Sequence, residues 1–409
     1  MIRTAAILIF LATAALAQQP TPGKIQRGTL VSVDAEKLRV TVKANDKEIV
    51  ATADEQTRFF EAKGANAKEK LQSFKAGVEV MFVIQPKDGK NYLFGLRLAD
   101  AGKPSNPLAK FDSSKLLPIN ELGTKEYRGF MGGFYPDGKN ERPARHDALG
   151  KALAAQVQPL DGDGKPDAAG KIVLLSVGMS NTSQASQGFA QVLASAKDKN
   201  PALIFVNGAQ GGMTAARIQN PDDKASGEKY WAAVEQQLRK TRVSASQVQV
   251  VWIKQADAGP SQGFPVYAKT LEAELTRIVR LLPKRFPNIK MVYLSSRTYG
   301  GYAKSSLNPE PYAYESAFSV KWLIERQIRG EVELNCDPKK GAVQAPWLAW
   351  GPYLWANGTT KRPDGFAYAE SDFANDGTHH SPDGSRKIGA HMLRFFESDD
   401  TTRPWFTRK

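Results

Sequence analysis

The chain has a single cysteine, Cys336. One thiol cannot form an intrachain bridge, so packing has to hold the fold, and 409 residues suffice for two domains. Histidine is nearly as scarce, with only His146, His379, His380 and His391, and no His/Cys constellation has the spacing of a zinc site. Long apolar runs are missing too. The one apolar N-terminal segment, from Ala5 to Leu16, is too short for a comfortable membrane span, so no transmembrane segment is expected. Acidic side chains are in deficit, 42 against 56 Lys plus Arg, for a net charge of +14. The basic residues are scattered and no dense run alternates with aromatics. This argues against nucleic acid as a partner and for a solvated basic surface, with attraction to acidic polymers such as uronic-acid polysaccharides or to an anionic cell surface as the competing reading.

What is present begins with a leader. Arg3 supplies the positive start and Ala15-Leu16-Ala17 an A-x-A cleavage site, so residues 1–17 are expected to be removed after Ala17 and the protein exported, periplasmic or extracellular. Residues 24–99 alternate apolar and polar side chains in short runs, as in Gly28-Thr-Leu-Val-Ser-Val33 and Val78-Glu-Val-Met-Phe-Val-Ile84. With turn chemistry between the runs and one short helix from Ala67 to Phe74, they predict an OB-like or SH3-like β-barrel in an accessory role. A linker is expected at 100–125. The α/β domain is expected over 126–398, where apolar runs at 171–176, 202–206, 248–254 and 290–295 alternate with helical patterns near 184–197, 225–241, 266–284 and 312–329. That alternation predicts a parallel sheet with helices on both faces, and in such sheets ligands bind beyond the carboxyl ends of the strands.

Two short segments carry the chemistry. Gly178-Met179-Ser180-Asn181 follows the first apolar run, and a serine at a strand-to-helix turn is presented above the sheet edge. About two hundred residues later, Asp376-Gly377-Thr378-His379 precedes a helical pattern from Ser381 to Phe396. An Asp three residues before a His supplies a base together with the group that orients it. Ser180 is therefore the candidate nucleophile, His379 the base and Asp376 its orienting partner. His380 is expected to point elsewhere, His391 to pack in or on the last helix, and His146 is not placed. Two carboxylate-bearing turns, 161–167 and 135–143, lack the later bidentate Glu of a calcium loop. Neither a metal nor a cofactor is expected.

These residues resemble the SGNH (GDSL) hydrolase superfamily, from about Ile172 to Phe396. The closing segment, Asp376 to Gly384, is the stronger part, and Gly-Met-Ser-Asn looks more like the Gly-Gln-Ser-Asn of its carbohydrate acetylesterases and sialate O-acetylesterases than the common Gly-Asp-Ser. The resemblance implies a three-layer α/β/α domain and a secreted serine esterase acting through an acyl-enzyme on acylated, mainly O-acetylated, carbohydrate or polysaccharide. It also implies three oxyanion donors: the Ser180 N–H, the N–H of Gly208 after the second strand, and a carboxamide after the third. There the family's Gly-x-Asn-Asp is replaced by Lys254-Gln255-Ala256-Asp257, so Gln255 is the expected substitute and Lys254 the weaker one. Asn181 and the aromatic Trp350, Tyr353 and Trp355 are expected to border the substrate, flat rings suiting the apolar faces of sugars, with packing in the core as the competing reading. Two other functions stay open: a lipase or arylesterase on apolar esters, and a catalytically weak carbohydrate-binding or cell-surface protein on the same fold.

Overall fold

The computed structural model describes residues 26–45, 47–54, 57–59, 66–98 and 111–408. The leader, its cleavage site and residues 100–110 of the expected linker lie outside them. The chain divides into two compact units, Met1–Lys103 and Pro104–Lys409.

In the first unit the period-2 patterns become strands β1 (Gln26–Asp34), β2 (Arg39–Ala44), β3 (Lys47–Thr52), β4 (Arg58–Phe59), β5 (Glu79–Lys87) and β6 (Lys90–Leu98). Helix α1 (Ala67–Gln72) lies between β4 and β5 and starts where the Asn66 side chain accepts from the Glu69 N–H. Strand β2 shows the logic: Val40 and Val42 point inward while Arg39 and Lys43 face water. The sheet order is β3-β2-β1-β5-β6-β4, and a bridge between Thr52 and Tyr92 joins β3 to β6 and closes a barrel. Leu30, Val40, Val42, Leu71, Val80, Phe82 and Leu96 fill it.

The second unit opens with α2 (Ile119–Leu122), a two-residue hairpin pair β7 (Glu126–Tyr127) and β8 (Phe130–Met131), and α3 (Ala144–Ala154). Alternating elements follow: β9 (Ile172–Gly178), α4 (Ser180–Ala194), β10 (Leu203–Asn207), α5 (Ala215–Ile218), α6 (Gly227–Lys240), β11 (Val248–Lys254), α7 (Val266–Arg285), β12 (Met291–Ser295), α8 (Tyr312–Arg329), β13 (Trp347–Trp350), α9 (Pro382–Ser398) and α10 (Arg403–Phe406). The sheet runs β10-β9-β11-β12-β13, every pair parallel. Successive β9 side chains enter two cores. Ile172 and Leu174 pack with α4 and α9, while Val173, Leu175 and Val177 pack with α6, α7 and α8. Burial on both faces explains why β9 and β11 read as unbroken apolar runs.

Two boundaries differ from the sequence reading. Residues 111–125 are not a linker: Ile119 is fully buried in the second unit, and Asn357 Nδ2 holds the carbonyls of Ser113 and Leu116 at 2.7 and 3.0 Å. At the other end Trp405 and Phe406 are fully buried, so the domain runs past 398. No helix among the described residues is long and apolar enough to cross a membrane.

Candidate active site

Strand β9 ends at Gly178, Met179 caps α4 in an extended conformation, and Ser180 is the first helical residue. The turn tolerates no side chain at 178, where a Cβ would lie 2.5 Å from both Lys254 O and Thr182 Oγ1. Neighbouring elements hold it: Gly178 N–H donates to Tyr230 Oη at 3.1 Å, and Thr182 Oγ1 donates to Lys254 O at 2.6 Å. The N–H groups of Ser180 and Asn181 fall in the first helical turn and have no acceptor among the described residues.

The second segment forms a tight loop before α9. Gly377 takes a φ of 67°, and a Cβ there would stand 1.7 Å from Tyr302 O, so both backbone sign and space call for glycine. Lys304 N–H donates to Asp376 O at 2.9 Å, tying the loop to the segment after β12. Asp376 Oδ1 accepts from the N–H groups of Thr378 (3.0 Å) and His379 (2.9 Å), which leaves Oδ2 for His379 Nδ1 at 2.5 Å. His379 Nε2 in turn lies 2.7 Å from Ser180 Oγ. With Nδ1–H donated to the carboxylate, Nε2 is left to accept the serine proton. Burial works against the Asp376 charge, but the His379 imidazole and the two N–H groups outweigh it and hold the carboxyl below its usual value. The hydroxyl, imidazole and carboxylate thus form one hydrogen-bonded chain, able to transfer a proton from a nucleophile attacking an ester carbonyl.

Residues 180 and 379 meet because their helices do. α4 begins at the serine and α9 just after the histidine, and the two cross through Gly188, Ser385 and Gly389, where a Cβ on Gly188 would lie 1.9 Å from Ser385 O. Without side chains at the crossing the helix axes approach closely and their N-termini converge on one spot.

The remaining expected residues sort differently. Gly208 N–H is donated to Ser176 O at 3.1 Å, and its missing Cβ makes room for that strand, 2.7 Å away. The close approach expected of this glycine is to β9 rather than to a ligand, a correction to its role as a donor. Gln255, 2 % exposed, gives Nε2 to Met213 O at 2.9 Å and takes the Ala256 N–H on Oε1. Its carboxamide braces the 213 loop. Lys254 is the β11 side chain that reaches α4, its Nζ donating to Asn181 Oδ1 at 2.7 Å. Asn181 is therefore buried against Lys254 and not open to a substrate.

The aromatic expectation also needs correcting. Trp355 is fully buried and donates Nε1 to Glu310 Oε1 at 2.7 Å. Trp350 and Tyr353 are nearly buried, Trp350 packing at a tilt against Phe134 with centroids 4.8 Å apart and donating Nε1 to Phe134 O. Their exposed edges border a cleft of about 620 Å³ lined also by Arg142, Arg362 and Asp399, which does not include the triad residues. These rings pack because β13 is an edge strand whose aromatic side chains close the core.

A second cleft of about 760 Å³, whose lining likewise does not include Ser180, Asp376 or His379, adjoins the Asp376 loop and is walled by Tyr299, Tyr302, Lys304, Ser113, Asn357 and Thr360. Lys304 and Tyr302 are the residues whose backbones touch Asp376 and Gly377, so cleft and loop share a wall. The polar run Ser295-Ser-Arg-Thr298 at the carboxyl end of β12, next to this segment, was the available sequence signal for it. At 161–167, Asp161 Oδ1 accepts the N–H groups of Asp163 and Lys165 and simply holds a turn. Among the described residues no group of three or more His, Cys, Asp or Glu could hold a metal ion.

No family model and no curated protein matches the chain. Among solved structures, the second unit is similar to a putative acylhydrolase from Bacteroides fragilis, 12% identical over 62% of this chain and 97% of that one, with a TM-score of 0.33. It is also similar to the periplasmic domain of a lipopolysaccharide acetyltransferase from Salmonella ser. Paratyphi A, at 12%, 62%, 97% and 0.32. Silver-bound CusF from Escherichia coli is 16% identical over 20% of this chain and 99% of its own, with a TM-score of 0.17. Likenesses this low leave the geometry of the site to carry the functional reading.

Proposed function

We propose that the protein is an exported serine esterase that hydrolyses small acyl esters, chiefly O-acetyl groups on carbohydrate. The observation that carries this reading is the 2.7 Å contact of Ser180 Oγ with His379 Nε2, completed by the 2.5 Å contact of His379 Nδ1 with Asp376 Oδ2. Ser180 Oγ attacks the ester carbonyl while His379 takes its proton and then passes it to the leaving alcohol. An acetyl-Ser180 ester remains. Water, deprotonated by His379, attacks it, and Ser180 leaves with the proton returned, releasing acetate. The unpartnered N–H groups of Ser180 and Asn181 at the positive end of α4 supply donors for the oxyanion. Asp376 keeps the imidazole in the tautomer this sequence needs.

Two features support a carbohydrate over an apolar ester. The cleft beside the Asp376 loop is lined by hydroxyl, amide, tyrosine and charged side chains, the last being Asp112, Lys304, Glu310 and Glu370, rather than aliphatic ones. The resemblance of Gly178–Asn181 to the Gly-Gln-Ser-Asn of carbohydrate acetylesterases in the SGNH superfamily points the same way. The test is acetate release from acetylated xylan or pectin, together with labelling by a fluorophosphonate probe. Labelling should map to Ser180, and both label and acetate release should vanish in Ser180→Ala with the fold intact. Turnover that survives this substitution would refute the nucleophile.

A further inference from the structure

Two basic side chains at the carboxyl ends of adjacent strands are buried without an ion-pair partner. Lys254 closes β11 and is fully buried; Arg297, two residues beyond β12, is 3 % exposed. No described residue accepts a hydrogen bond from the Arg297 guanidinium, whose Nε is buried without a partner; the residue's backbone N–H donates to Ser316 Oγ. Lys254 spends its ammonium on Asn181 Oδ1, and Asn181 Nδ2 is itself buried with no acceptor. His380 Nδ1, beside the candidate base, is in the same state.

Elsewhere in this unit buried cations are matched. Arg362 donates to the carbonyls of Tyr353 and Trp355 and pairs with Asp364, Lys321 pairs with Glu325, and the partly buried Arg142 bridges Asp147 and Asp399. Glu310 is the carboxylate whose charge reaches Arg297, yet its oxygens are already taken by Gly300 N–H, Trp355 Nε1 and Tyr314 N–H. Geometry puts these groups together: Lys254 faces Ser295 in the β11–β12 register, Thr298 Oγ1 lies 3.3 Å from His380 Nε2, and Arg297 stands between Ser295 and Thr298 in the chain. Burial first, then the neighbouring positive groups, holds Lys254 and His380 well below their usual pKa values. A folded chain does not strand so many donors on one side of its nucleophile unless something accepts from them.

We propose that Arg297 forms a subsite for a carboxylate carried by the ester substrate, next to Ser180 and His379, with Lys254 and Asn181 behind it and out of the substrate's reach. The planar guanidinium fork matches a carboxylate with two parallel hydrogen bonds. The chain's net charge of +14 draws acidic polymers to it. The inference rests on the esterase reading and narrows it to acidic esters. The carboxylate belongs either to the sugar, as in an acetylated uronate, or to the acyl group, as in a dicarboxylic half-ester.

Two matched ester pairs separate these sources in the full-length protein: methyl O-acetyl-galacturonoside against methyl O-acetyl-galactoside, and nitrophenyl hemisuccinate against nitrophenyl butyrate. The acidic member of one pair should be favoured about tenfold or more in kcat/KM, mainly through KM, and the pair concerned identifies the source. Arg297→Gln should bring that ratio towards one, and Arg297→Lys should keep part of it. Ratios near one in both pairs, or a preference that persists in Arg297→Gln, overturn the subsite. Should Arg297→Gln fail to fold, thermal melts of Ser180→Ala decide: galacturonate or succinate should raise Tm by a few degrees where galactose and butanol do not. The absence of any such shift counts against the subsite. Fluorophosphonate labelling of the same wild-type preparation reports separately on the esterase reading, so either idea can fail alone.

Discussion

Gly389 of α9 lies directly against Gly188 of α4: a Cβ on Gly389 would stand 2.4 Å from both the carbonyl carbon and the oxygen of Gly188. This contact, more than any at the site itself, decides whether residues 180 and 379 meet, because each helix starts at one of them. Gly389→Ala must push the helices apart, at a cost of about 1–3 kcal/mol by the usual penalty for overpacking. Urea unfolding should show the loss, and esterase turnover per folded molecule should drop with it. Gly162→Ala, at a glycine with open space around it, serves as the control and should change neither. A melting midpoint for Gly389→Ala equal to that of the wild type would show that the crossing does not set the site.

Asp376→Asn tests the orienting group. Oδ1 keeps its bonds to the Thr378 and His379 N–H groups, so the loop survives, but the amide offers His379 the wrong partner or the wrong tautomer. Turnover should fall about a thousandfold to ten-thousandfold with little change in KM, as when a triad aspartate is neutralised. A second signature lies in acid. Burial raises the Asp376 pKa and its hydrogen bonds lower it further than that, so the folded value sits below the ordinary 3.8. A lowered carboxylate value means the contact contributes its full stability above about pH 4 and loses it as pH falls through the folded value. The stability gap between wild type and Asp376→Asn should therefore close below that pH. A gap that stays constant down to pH 2 would mean that the carboxylate is not what the loop holds.

The α/β architecture was largely legible because each buried parallel strand is an unbroken apolar run. The expected runs at 171–176, 202–206, 248–254 and 290–295 became β9, β10, β11 and β12 to within two residues. β13 was hidden because Trp347-Leu-Ala-Trp350 is only four residues long and reads as an aromatic patch. The segments whose Ser180, Asp376 and His379 side chains come together were readable from local spacing. Their supporting groups were not, since these depend on which way a side chain leaves the end of a strand. Lys254 and Gln255 are neighbours in sequence, yet Lys254 turns to the nucleophile helix and Gln255 to the 213 loop. Arg297 stands out only once its surroundings are known to lack an acceptor.

Acid should unfold the second unit early, and two histidines away from the triad are the reason. His146 stacks on Trp347 with centroids 5.0 Å apart and donates Nε2–H to Leu348 O at 2.8 Å. His391 lies on Phe366 at 4.4 Å, near Arg362 and Arg394. Burial first, then the nearby arginines, push both imidazoles down to about 4. A base lowered in this way enters the fold neutral, while the unfolded chain begins to bind its proton near pH 6.5. Between about pH 6.5 and 4 the unfolded state holds more protons, so stability declines as pH falls through that window and levels off below it. Each imidazole contributes a slope of at most about 1.4 kcal/mol per pH unit. His146→Gln keeps a donor for Leu348 O but removes one titrating group, so urea unfolding at pH 6.5, 5.5 and 4.5 should give a shallower decline than wild type by roughly that amount. Parallel curves for the two proteins would mean that His146 carries its proton into the fold, and the buried, neutral role assigned to it would have to be abandoned.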